Sequence, residues 1–362
     1  MELSMGSFCA RLSLVFLLVI CGSQAQDSFA SGQAQTAVPT MPRQISANDA
    51  AALEQELTIN PDNLAAREAL INYYFMEMIK SRTAGLEEKH DKHVFWLIEH
   101  HPESPLAGSP EASIMPVADS TEAYQHGKQL WLRQVESHPD DQRILRNAAQ
   151  FLTAFDGKTA RDLLEKAWAL DPDDTQTSFA LAQSYDLERA QVTSTDEKAA
   201  LAKKVLSLRE GALEKQGGEG RFYELGDLAK SAFEAGELDK AQEYASELLQ
   251  LAPKFRNDWN YGNAVHQGNN VLGLVALQRG DISSAKEYLL AAGQTPGSPQ
   301  LDSFGPNMTL AKELLEKGER DAVLTYLQSC GKFWKMGADS LQAWTATING
   351  GGTPDFGANL DY

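Results

Sequence analysis

Cysteine is scarce in this chain of 362 residues: there are three, Cys9, Cys21 and Cys330. Two of them fall within the first 25 residues, so a chain trimmed after Ala25 keeps one thiol and makes no internal disulfide. The fold must then rest on its apolar core, where a free Cys330 reads as one more small buried residue, with no base in sequence to mark it as a nucleophile. Basic residues are also in short supply, 32 against 50 acidic ones, for a net charge of −18. Affinity for phosphate needs a basic surface, so nucleic acid is not an expected partner. After the first 25 residues no apolar run approaches the ~20 residues of a spanning helix, so no transmembrane segment is expected. Strand-like alternation is missing, and so are a Gly-rich phosphate loop, a Gly-x-Ser-x-Gly elbow, a His-Glu-x-x-His pair and a Cys-x-x-Cys pair. Neither an enzyme nor a bound cofactor is expected.

What is present starts with an export signal. Arg11 precedes an apolar run from Leu12 to Cys21, and small residues follow at Ser23 and Ala25. That order of charge, apolar core and small cleavage residues predicts a signal peptide over 1–25, and a periplasmic or secreted protein. Leu18-Val19-Ile20-Cys21 resembles a bacterial lipobox, which would anchor the chain through a lipid on Cys21, although Ile20 is large where a lipobox has a small residue. Residues 26–45, rich in Ser, Gln, Ala and Pro, read as a flexible tether.

From Ser46 onward apolar residues recur at helical offsets, and the pattern repeats. Helical stretches end at a proline followed by an acid: Asn60-Pro61-Asp62, His101-Pro102-Glu103, His138-Pro139-Asp140 and Asp171-Pro172-Asp173. Proline cannot continue the helix behind it, and the acid favours the positive end of the helix ahead. These prolines are 41, 37 and 33 residues apart, and Pro253 follows 81 residues later, a distance of two such units. A second repeat runs through the C-terminal half: Gly236-Glu237-Leu238-Asp239-Lys240-Ala241, Gly280-Asp281-Ile282-Ser283-Ser284-Ala285 and the shorter Gly318-Glu319-Arg320-Asp321-Ala322. Here glycine is expected to end one helix in a left-handed cap while alanine lets the next pack closely.

Leu225, Leu228, Ala229, Ala232, Gly236, Ala241, Tyr244, Leu248, Leu249 and Pro253 together resemble one tetratricopeptide repeat, and Leu272, Gly273, Ala276, Gly280, Ala285, Leu289 and Ala292 resemble the next. Ala160, Leu163, Leu164, Ala167, Leu170 and Pro172 look like the closing helix of an earlier one. The spacings of 33 to 44 residues depart from a strict 34. The stretch from Thr295 to Trp334, with the Pro354–Asn359 tail, is also similar to the C-terminus of exported bacterial repeat proteins of no assigned activity. The resemblance implies an all-α, right-handed α-solenoid of helical hairpins. Its parts would be N-terminal helical repeats over 46–102, a Pro/Ser/Gly-rich loop over 103–120, an array over 121–335 and a C-terminal tail over 336–362. Thr195–Lys215, dense in Ala, Leu, Lys and Glu, supplies a further helix. Residues 295–306 form a second interrupting loop.

Two clusters of polar residues are candidate sites. In Asn257–Asn270, which leads into an apolar helix, Trp259, Asn263, His266 and Asn270 are spaced by four, three and four, one stripe if the segment is helical. The resemblance implies that the first helix of each hairpin lines a concave surface, so this stripe, with Arg256 to attract acidic groups, would hold a protein or peptide partner. These groups could equally cap helices and satisfy the backbone of a long turn. The second cluster is His90, His93 and His100, which could converge on a metal in a periplasmic metal-dependent protein or hydrolase, or merely finish a helix. The expected function is an exported, non-catalytic interaction scaffold, with the metal-dependent protein as the alternative.

Overall fold

The computed structural model describes residues 45–81, 85–114, 121–215 and 218–360. The expected signal peptide, nearly all of the tether, the possible lipid site at Cys21 and residues 115–120 lie outside the described residues. Among the described residues there are sixteen α-helices and no strand. None of the helices is long and apolar enough to cross a membrane. The chain divides into two compact units between Ser184 and Tyr185.

The first unit holds α1 (Ala47–Ile59), α2 (Leu64–Lys80), α3 (Leu86–His100), α4 (Thr121–Ser137), α5 (Gln142–Leu152) and α6 (Gly157–Leu170), and the division falls within α7 (Thr175–Gln191). Neighbours in sequence pack as pairs, most extensively α2 with α3 and α5 with α6. The four Pro-acid sites share one geometry. At each, the residue before proline donates its N–H to the carbonyl four residues back, ending the helix (Asn60 to Glu56, His101 to Leu97, His138 to Gln134, Asp171 to Ala167). The residue two after proline closes the turn onto that same residue: Asn63 to Asn60, Ser104 to His101, Asp141 to His138, Asp174 to Asp171, at 3.0–3.3 Å. Proline is thus the second residue of a hydrogen-bonded β-turn, where its fixed φ fits.

The acid next to proline sits inside this turn, and the helix cap is one residue later than the sequence pattern suggests. Asn63 accepts from the Ala66 N–H, Asp141 from Arg143 and Ile144, and Asp174 from Gln176 and Thr177. At the second site the cap is Ser104, and it opens a 3-10 turn over Pro105–Gly108 rather than an α-helix. That stretch is packed inside the first unit: the buried Asn147 amide donates to the carbonyls of Pro102 and Ser104 at 2.8 and 2.9 Å. Gly108 lies so close to Asn147 that a Cβ would stand 2.3 Å from its Oδ1.

The second unit continues with α8 (Thr195–Leu213), α9 (Gly218–Glu234), α10 (Leu238–Leu251), α11 (Tyr261–Gln278), α12 (Ile282–Ala292), α13 (Pro299–Phe304), α14 (Thr309–Glu316), α15 (Arg320–Cys330) and α16 (Ala338–Asn349). Gly236, Gly280 and Gly318 have φ of +80°, +82° and +87°. In each case glycine donates to the carbonyl three back and the next residue to the carbonyl five back (Glu237 to Ala232, Asp281 to Ala276, Glu319 to Leu314). This is the Schellman closure, which needs a left-handed residue. Space is open around all three, so conformation alone calls for glycine.

Alanines Ala229, Ala232, Ala241, Ala245 and Ala285 are fully buried where consecutive helices meet. Residues 336–360 are a helix and a docked tail. Phe356 is buried against Trp344, while the Asn359 amide donates to the carbonyls of Phe304 and Pro306. Cys330 is fully buried in the same core, and burial pushes its thiol up to about 12, far from the range of a nucleophile.

Candidate partner-binding site

The connection from α10 to α11 begins with a 3-10 turn over Ala252–Phe255 that contains Pro253. Phe255 stacks on Phe222 of α9, ring centroids 4.2 Å apart, which anchors the turn in the core. Asp258 then accepts the Tyr223 hydroxyl at 2.5 Å and the Asn260 N–H at 2.8 Å. Burial, and the bond to Asp258, push the Tyr223 phenol well up, so the hydroxyl stays a donor. Between these fixed points Trp259 stands out at 45% exposure, its ring stacked at 6.0 Å and 19° on Tyr223. Lys254 and Arg256 are exposed on the same turn, and neither has an acidic partner among the described residues. An exposed indole, three residues after Arg256 and five after Lys254, is thus stacked on a tyrosine held by Asp258 in a strongly acidic chain.

The rest of the expected stripe turns inward. Asn263, His266 and Asn270 lie on one side of α11, as their spacing predicts, but they are 3%, 1% and 5% exposed. Asn263 and His266 hold the 295–307 segment instead of facing solvent, and Asn270 holds the His266 ring. The Asn263 amide donates to Asn260 and Gln300, each at 2.9 Å, and its carbonyl accepts the Ser298 hydroxyl at 2.6 Å. His266 Nδ1 faces the Ala292 carbonyl at 3.4 Å, while Nε2 meets the Asn270 amide at 2.8 Å and the Asn307 N–H at 3.1 Å. One donor and one acceptor nitrogen satisfy all three contacts, so the ring is neutral. Burial pushes its pKa down to about 4.

The Thr295 hydroxyl donates to the Gly262 carbonyl at 2.7 Å, and the backbone of Gly297 crosses directly over Gly262. The 295–306 stretch is therefore a clamped structural segment that includes α13. Of the stripe and Arg256, only Arg256 and Trp259 are at the surface. Sequence reasoning missed Tyr223 and Lys254: Tyr223 lies a full helix away, and the signal for Lys254 was its nearness to Arg256 in a chain short of cations.

The three histidines do not converge. His90 and His93 are buried, but the His90 ring contacts Asp91 at 3.0 Å and the Glu111 carbonyl at 2.7 Å. His93 Nε2 contacts Glu54 at 3.0 Å and Nδ1 faces Arg67 at 3.4 Å, with its ring stacked on Tyr74. Burial lowers the pKa of His93. His100 is exposed and bonds the Trp96 carbonyl in its own helix. Three consecutive helices are tied together by this chain of contacts, Glu54 on α1, Tyr74 and Arg67 on α2, and His93 on α3. Among the described residues no group of three or more His, Cys, Asp or Glu side chains is placed to hold a metal ion. No protein-family model matches the chain, and no curated protein matches it.

Proposed function

We propose that the protein is an exported, non-catalytic scaffold, a right-handed solenoid of tetratricopeptide-like hairpins, that binds a protein or peptide partner through the patch around Trp259. The carrying observation is the exposed Trp259 ring, stacked on Tyr223, with the exposed Lys254 and Arg256 five and three residues before it in a chain of net charge −18. A preordered aromatic anchor loses little conformational entropy on binding, and aromatic and Arg residues dominate interface energetics. The two cations favour an acidic segment in the partner, because the remaining surface repels it. The buried Asn263–His266–Asn270 network supports the reading indirectly by keeping the first turns of α11 in one position.

The test is affinity capture from the native envelope fraction and culture fluid with the wild-type protein beside Trp259→Ala and Arg256→Glu variants, both at surface positions that leave the core untouched. A partner retained by wild type, lost by both variants and then shown to bind in a purified titration would support the proposal. Identical capture by all three, with folding matched by circular dichroism, would refute it. Intact mass of the exported protein tests the processing: cleavage after Ala25 and a lipid-modified Cys21 give different N-termini.

A further inference from the structure

The segment after α16 sits on the second unit in the manner of a bound peptide. Over 353–356 outward and inward residues alternate: Thr353 and Asp355 are exposed, while Pro354 and Phe356 are buried. A 3-10 turn over Gly357–Leu360 then brings Asn359 inward. The Phe356 ring meets Trp344 edge-on, with centroids 5.0 Å apart. The surface beneath is supplied with donors aimed at peptide carbonyls. Trp344 Nε1 donates to the Asp355 carbonyl at 3.1 Å, and the Met308 N–H, at the start of α14, to the Asn359 carbonyl at 2.8 Å. In return the Asn359 amide donates to the Phe304 and Pro306 carbonyls, each at 3.0 Å. Main-chain bonds with pockets for alternate side chains hold a peptide whichever chain it belongs to.

The join between α16 and this segment is built differently. Gly350, Gly351 and Gly352 are consecutive and exposed. Gly351 has a φ of +87° and donates to the Ile348 carbonyl, while Gly352 donates to Thr347, a Schellman closure. Arg320 latches the turn, donating to the carbonyls of Ile348, Gly351 and Gly352 at 3.3, 2.6 and 2.9 Å. The turn buries no side chain between Asn349 and Thr353, so it is a low-cost place for the chain to open.

We infer that this groove also accepts the 353–360 segment of a second copy of the chain, so that two molecules exchange tails by opening at Gly350–Gly352. A second copy is the occupant that the chemistry specifies, because the groove is fitted to Phe356 and Asn359 at the spacing this chain carries. Groove contacts are the same in the closed monomer and the exchanged dimer, so hinge and concentration set the balance between them. Across a short linker the groove meets its own tail at an effective concentration on the order of millimolar, and exchange in the wild-type protein sets in as the protein approaches that value. The exchange does not involve the Trp259 patch and stands or falls independently of it.

Two glycines make the test. Gly351 lies in the hinge and Gly357, with φ of +54°, in the seated tail; space is open around both, so alanine acts at each through conformation alone. A left-handed conformation costs a residue with a Cβ roughly fivefold or more in equilibrium constant, and each dimer releases two hinges. Gly351→Ala should therefore raise the association constant about 25-fold, while Gly357→Ala, strained alike in both forms, leaves it unchanged. Arg320→Ala, which removes the latch, should act in the same direction as Gly351→Ala. Analytical ultracentrifugation of the full-length exported protein from about 10 μM to about 1 mM reads the constant. Hydrogen exchange at the Met308 N–H reports whether a tail is seated, and circular dichroism verifies the fold of each variant. The expected result is a dimer, promoted by both hinge variants, in which Met308 stays protected. Gly351→Ala and Arg320→Ala proteins that remain monomeric across the range would overturn the inference, as would a dimer promoted equally by Gly357→Ala. A dimer whose Met308 N–H exchanges freely would overturn it too, since its groove then holds no tail.

Discussion

Replacing Gly262 by alanine should unfold the clamp over α11, although alanine is the better helix former. A Cβ on Gly262 would stand 1.9 Å from the Gly297 carbonyl oxygen and 2.5 Å from its carbon. Ordinary contact needs about 3.4 Å or more, so a backbone segment must move by more than about 1 Å. That segment has little slack. Thr295 is bonded to the Gly262 carbonyl and to the Gly297 N–H, and Ser298 is bonded to Asn263. Below Gly297, whose φ is +87°, lies Phe333, 2.7 Å from where a Cβ would be. Overpacking costs roughly 1–3 kcal/mol, and each of two or three lost hydrogen bonds about 1 kcal/mol. Alanine returns about 1 kcal/mol of helix propensity.

The net loss is roughly 2–5 kcal/mol, which for a unit of this size lowers the melting temperature by about 4–20 °C. Gly211, an exposed glycine of α8 with nothing within 4 Å of where a Cβ would stand, is the matched control. There the same substitution should stabilise by roughly 0.5–1 kcal/mol. Thermal and urea unfolding followed by circular dichroism reads both. A Gly262→Ala protein as stable as wild type would refute the clamp, and two variants shifted equally in the same direction would show that helix propensity alone governs both sites.

Three further outcomes follow from buried polar groups. His266 is neutral in the fold with its pKa pushed down to about 4, so the unfolded chain takes up a proton first as the pH falls below about 6.5, and stability is lost on the acid side; between pH 7 and 5 this amounts to about 2 kcal/mol, and His266→Gln should flatten that part of the profile. Glu224 behaves in the opposite sense. Burial raises its pKa to about 7 against the pull of Arg209, 3.9 Å away, with Asp227 adding repulsion, so the folded state holds a proton that the unfolded state has released, and stability falls as pH rises from about 4.5 through 7. Glu224→Gln should therefore raise the melting temperature at pH 8.5 and change it little at pH 5; a gain equal at both would exclude the titration. Asn147→Ala should cost about 2–4 kcal/mol, because it strips donors from the buried carbonyls of Pro102 and Ser104, and faster proteolysis within 103–114 would report the released segment.

The helices, their ends and the repeating turns were legible in the chain because they are made of bonds between residues three to five apart. Proline removes a donor and fixes φ wherever it stands, and Gly236, Gly280 and Gly318 meet a conformational need that no distant residue alters. The orientation of the polar stripe was not legible. Asparagine and histidine read as surface residues in one dimension, yet a segment some thirty to forty residues further along supplies hydrogen bonds to Asn263 and His266, and Asn270 is buried with its amide on His266, bonds that offset part of the cost of burying them. The same holds for the second Pro-acid site: its turn closes like the other three, but Asn147, forty-five residues from Pro102, binds the carbonyls of Pro102 and Ser104, and the loop expected over 103–120 opens with a 3-10 turn packed inside the first unit. Local hydrogen bonding determined where each helix stops, and only the tertiary structure decided which polar groups are left to meet a partner, since burial depends on residues that the local sequence does not contain.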